Sequence, residues 1–134
     1  MRPTIVSWLV AVASAFPTSA RAEAARIRAS IACEAPGGPG RFRCDVEVRS
    51  IQGRISWADV EVVAVDDLVL PLRGRAGPRD SSTHDTDIYR WSLGFVARAR
   101  GTGTVRVRVR AVVCQETGCA PAETEVIGSV VVGH

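Results

Sequence analysis

Four cysteines are the residues of this 134-residue chain whose type and spacing most directly suggest chemistry. Cys33 and Cys44 flank the run Pro36-Gly37-Gly38-Pro39-Gly40, and Cys114 and Cys119 form a Cys-x4-Cys element. In an oxidising compartment four thiols make two disulfides, for which three connectivities exist. Periodicity distinguishes the two pairs. Ile27, Ala29, Ile31 and Cys33 alternate with polar or small residues, as do Phe42, Cys44, Val46 and Val48. Both cysteines therefore share the apolar faces of two strands, equidistant from a turn centred between Gly38 and Pro39. A simple hairpin register sets them opposite each other. That bridge is a structural disulfide, contributing roughly 3 kcal/mol by loop closure.

The second pair has a different setting. Counted in twos, Arg106, Arg108, Arg110, Val112 and Cys114 lie opposite Val105, Val107, Val109 and Val113. Cys114 therefore belongs to the arginine face. Its partner follows the short stretch Gln115-Glu116-Thr117-Gly118, and closing so small a loop contributes about 2 kcal/mol. Two roles fit: a loop staple, or an exchange pair in which Cys114 and Cys119 are catalytic. A thiolate is the nucleophile in exchange, and a neighbouring cation favours it. Arg110 would support that role, and Glu116 would oppose it.

The elements positioning these residues show almost no helical period. After the first hairpin, Ile55 to Val65 is β-rich, with a phase break at Val62-Val63 that predicts a bulge. Leu68 to Leu72 carries Pro71 and suits an edge strand. Gly74 to Asp87 reads as a loop. Tyr89, Trp91, Leu93, Phe95 and Ala97 alternate, and Gly101-Thr102-Gly103 turns the chain into the Val/Arg strand before a last strand over 124–132. About seven short antiparallel strands predict an all-β, immunoglobulin-like β-sandwich. By phase Trp91 belongs to the core, and Trp57 is placed there too.

The N-terminus is set apart from this pattern. A basic start, an uncharged run from Ile5 to Phe16, then Pro17 and Ala20-Arg21-Ala22, predict a signal peptide over residues 1–22, cleaved after Ala22. One domain over 23–134 follows, periplasmic or secreted. The apolar run is shorter than the ~20 residues a spanning helix needs, so the mature chain is expected to hold no transmembrane segment. All seventeen basic residues are arginine, against fourteen acidic residues. Losing Arg2 and Arg21 takes the formal +3 to about +1, which gives no case for nucleic acid.

The stretch from Asp87-Ile88-Tyr89-Arg90 through Cys114-Gln115-Glu116-Thr117-Gly118-Cys119-Ala120-Pro121 resembles the N-terminal periplasmic domain of the DsbD-type thiol:disulfide interchange proteins. The resemblance implies an immunoglobulin-like sandwich in which Cys114 and Cys119 relay electrons and Pro121 shapes their loop. It also implies a separately encoded periplasmic or membrane thiol-redox partner. The chain departs from that family in two ways. The position of its aromatic cap falls near Ser82, with no aromatic between Leu72 and Tyr89, and the Cys33/Cys44 pair is additional. The alternative from another class is a non-catalytic exported adaptor or binding module with two structural disulfides.

Other chemistry finds little footing, and no cofactor or metal is expected. His84-Asp85-Thr86-Asp87 reads as a solvated loop, and Cys-x4-Cys is off the usual zinc spacing. No nucleophile elbow accompanies the internal His84, and no lysine or helix follows the Gly/Pro run to make a phosphate loop. The Arg106/Arg108/Arg110 row reads as a solubilising strand face.

Overall fold

Strict alternation of apolar and polar residues builds nearly every element, because successive side chains of a strand point to opposite faces. The computed structural model describes Ala11 and residues 26–133. Ala11 apart, the expected signal peptide over 1–22 lies outside the described residues. The strands are β1 (Ile27–Cys33), β2 (Gly40–Ser50), β3 (Arg54–Val65), β4 (Val69–Pro71), β5 (Arg75–Ala76), β6 (Thr83–His84), β7 (Ile88–Ala97), β8 (Gly101–Gln115) and β9 (Gly118–Val132). A 3₁₀ turn covers Pro78–Asp80. No helix among the described residues is long and apolar enough to cross a membrane.

Two antiparallel sheets form the sandwich. The first runs β1-β2-β7-β4, with β6 also on β7; the second runs β5-β3-β8-β9. This is the immunoglobulin arrangement: β1, β2, β7 and β4 stand as strands A, B, E and D, and β3, β8 and β9 as C, F and G. The core lies between the inner faces. The first sheet contributes Phe42, Cys44, Val46, Val48, Trp91 and Phe95; the second contributes Val60, Val105, Val107, Val109, Val113, Val130 and Val132. Phe42 and Phe95, directly opposed in register, stack with ring centroids 5.5 Å apart.

The segment over 74–87, expected to be a loop, carries two short strands and the 3₁₀ turn. It is tied to both sheets. Ala76 pairs with Val60 in the second sheet, and the buried indole N–H of Trp91 in the first donates to the Gly77 carbonyl at 2.9 Å. A buried indole nitrogen must find an acceptor, and this one anchors the crossover.

The edge strand at Pro71 and the bulge near Val62-Val63 are both present. A second register shift, between Ile55 and Trp57, was not anticipated. It has a larger consequence. One extra residue reverses the phase, so Ile55 and Ala58 both point inward and Trp57 turns out. Trp57 is 37% exposed rather than in the core.

Candidate functional site

The β8–β9 hairpin carries the second cysteine pair. Its register is continuous from Gly101 opposite Val132 to Gln115 opposite Gly118. The connection is therefore the two residues Glu116 and Thr117, and both cysteines lie within strands. Among the described residues no non-glycine has positive φ, so this is neither of the primed two-residue turns. The left-handed backbone falls instead on Gly118, at φ +130°.

Cys114 and Cys119 face each other across the ladder with Cα atoms 3.9 Å apart and are disulfide-bonded. Cys33 and Cys44 repeat that arrangement, again with Cα atoms 3.9 Å apart. The settings differ as their phases predict. Cys44 is fully buried in the core, whereas Cys114 is half-buried and Cys119 exposed on the outer face.

Successive rows across that outer face are set by pairing. Arg54, Cys114 and Cys119 form the end row; Trp57, Val112 and Pro121 form the next, about 7 Å along the strands. Asp59, Arg110 and Glu123 follow, then Glu61, Arg108 and Glu125. Pro121 thus stands in the row beside the disulfide, on the edge strand where a missing N–H is tolerated. A shallow groove of about 570 Å³ beside the disulfide is lined by Gln52, Gly53, Arg54, Cys114, Gln115 and Glu116.

Arg110 is not brought to the cysteines. Four residues of strand place its row about 13 Å from Cys114, and its guanidinium is committed elsewhere. It forms a two-point pair with the Asp59 carboxylate, Nε to Oδ1 at 3.0 Å. Asp59, 3% exposed, is the buried charged residue among those described, and Arg75 approaches it at 3.7 Å. Hydrogen bonding to Asp59 raises the Arg110 pKa above its ordinary value. The same guanidinium lies 5.8 Å from the Trp57 ring centroid. Arg108 is likewise occupied, by Glu123 at 2.9 Å and Glu125 at 3.0 Å. Much of the arginine face is therefore a ladder of internal ion pairs.

Ser82, the position to which the resemblance assigns a cap that this sequence lacks, lies on the opposite sheet from Cys114 and Cys119. It is hydrogen-bonded to the Arg90 carbonyl of β7. Tyr89 is buried beside Trp91, with ring centroids 5.8 Å apart. Trp57, turned outward by the bulge, stands in the row next to the disulfide's, with its ring near the Arg110 guanidinium. The sequence signal for it was the pair of apolar residues Ile55 and Ala58, whose odd spacing cannot lie on one face of a regular strand. Among the described residues no three His, Cys, Asp or Glu side chains are grouped to hold a metal ion.

No family model matches the chain, and no curated protein does. Among solved structures it is similar to the ASH/PapD-like domain 7 of human CEP192, at 11% identity and TM-score 0.47, covering 97% of each chain. It is also similar to AggA, the major subunit of aggregative adherence fimbriae type I from Escherichia coli. That match has 11% identity and TM-score 0.35, covering 79% of this chain and 95% of the other. Neither likeness extends to function.

Proposed function

We propose that this chain is an exported, non-catalytic binding module of immunoglobulin-like fold, stapled by two structural disulfides. It presents the disulfide end of its second sheet to a partner protein. The observation that carries the reading is the outward Trp57, placed in the row next to the disulfide's by a bulge that costs β3 its regular ladder. Bulges re-aim side chains, and tryptophan and arginine dominate the residues that anchor interfaces. The two disulfides suit an oxidising compartment, as does the Ala20-Arg21-Ala22 cleavage pattern.

The relay reading draws on one feature, the exposure of Cys119. Redox titration of residues 23–134 in glutathione and dithiothreitol buffers, with mass-tag trapping of free thiols, separates the two. A binding module keeps all four cysteines oxidised down to about −300 mV or below. If Cys114 and Cys119 titrate together near about −200 mV while Cys33 and Cys44 stay locked, the pair is exchange-active and the relay reading replaces this one. A photo-crosslinker at position 57 in exporting cells is expected to give a discrete adduct that the same group at Thr102 does not.

A further inference from the structure

The outer face of the first sheet holds a second arrangement, opposite the Trp57 surface and independent of it. Along β7, Val96 pairs with Arg41 of β2 on one side and Leu70 of β4 on the other. One row on, Gly94 pairs with Arg43, while Leu72 lies over it, its N–H bonded to the Gly94 carbonyl at 3.0 Å. A Cβ at Gly94 would stand only 3.0 Å from Leu72 Cδ1, so the absent side chain is what lets Leu72 settle there. The result is two parallel rails about 10 Å apart, two strand spacings. One carries two guanidinium groups, the other two leucines.

Both rails are unspent. Leu70 is 46% and Leu72 49% exposed. Arg108 and Arg110 hold carboxylates of their own chain, whereas among the described residues no carboxylate comes within 4.0 Å of Arg41 or Arg43. A shallow groove of about 730 Å³ on this face is lined by Arg41, Arg43, Gly94 and Leu72, with Leu70 outside it; its lining also includes Glu34, which stands beyond the arginine rail with its N–H bonded to the Arg43 carbonyl.

We propose that this groove docks an extended acidic segment of a partner protein. Its carboxylates would lie on Arg41 and Arg43, and its apolar side chains on Leu70 and Leu72. Arginine recognises carboxylates through its planar fork of donors, and the exposed leucines gain by losing water. The positive rail selects against a basic segment.

The test is titration of residues 23–134 with a synthetic octapeptide of Glu and Leu in equal number, followed by amide chemical shifts. Shifts are expected at Arg41, Arg43, Gly94 and Val96, weakening as salt is raised. R41Q/R43Q and L70S/L72S should each raise Kd at least tenfold. All four side chains face solvent, so both variants keep the wild-type near-ultraviolet dichroism. Equal binding of a Lys/Leu peptide, or an unchanged Kd in R41Q/R43Q, overturns the proposal. Equal binding of a Glu/Ser peptide removes the leucine rail from it. Binding to phosphatidylglycerol vesicles but not to the peptide would assign the face to a membrane instead. Each of these failures leaves the Trp57 reading intact.

Discussion

Single residues decide how the exposed disulfide is seated. Gly53 holds φ +87°, and a Cβ there would stand 2.6 Å from the Cys114 carbonyl oxygen. Gly53→Ala therefore meets both left-handed strain and backbone contact, and is expected to cost about 2 kcal/mol or more in denaturant melts. Gly118 is also at positive φ, +130°, but has open space around its Cβ position, so without the backbone contact Gly118→Ala should cost less than Gly53→Ala. The reverse order would contradict this geometry. Glu47 gives a pH signature. Its carboxylate accepts from Arg90 Nε at 2.8 Å and pairs with Arg49, which hold its pKa below the ordinary 4.5. A depressed folded pKa contributes stability that is present above about 4.5 and lost as pH falls through the lower folded value. The stability difference between wild type and Glu47→Gln should be under about 1 kcal/mol at neutral pH and vanish in strong acid. A difference that does not change with pH would show that the ion pairs contribute nothing.

At the scale of elements, both disulfides pin the two hairpins at matching register points, so their stabilising effects separate by loop length and burial. Cys114 and Cys119 are five apart and Cys33 and Cys44 eleven apart. Chain entropy assigns about 2 and about 3 kcal/mol respectively. The inner bridge also packs against β9: a Cβ at Gly128 would lie 3.1 Å from Cys33 Sγ. Replacing Cys33 and Cys44 by alanine should therefore lower stability clearly more than replacing Cys114 and Cys119. Equal losses in urea melts would mean that burial and loop length do not separate the pairs. The strands around them were legible in advance, since β1, β2, β7 and β8 each announce their inner face by period two. The second β3 bulge was not. An inserted residue shows only in the odd spacing of Ile55 and Ala58, and Trp57 between them keeps the phase of Ile55, so the pattern reads equally well as a regular strand with Trp57 inward. Trp57 was accordingly misplaced, and with it the chief exposed anchor of the candidate surface.

For the whole molecule, the pairings that close the sandwich join segments distant in the chain, such as Val46 with Trp91 and Val60 with Val109. Such topologies are slow to fold, because loop closure is paid before the long-range contacts form. With both disulfides intact, stopped-flow refolding is expected in the millisecond-to-second range. A purely microsecond transition would show that the hairpins hold most of the stability on their own. Alternation and turn chemistry are local properties of the chain, and they already specify the class of fold, the β1–β2 register about Gly38 and Pro39, and the opposite faces of Cys44 and Cys114. Packing of the whole chain sets the rest: that β2 meets β7 and β3 meets β8, that Arg110 belongs to Asp59 rather than to Cys114, and that Leu72 covers Gly94 beside two arginines. Every amphipathic strand carries the same inside–outside code, so that code cannot specify its neighbour. Neighbours follow from how all the faces are buried at once.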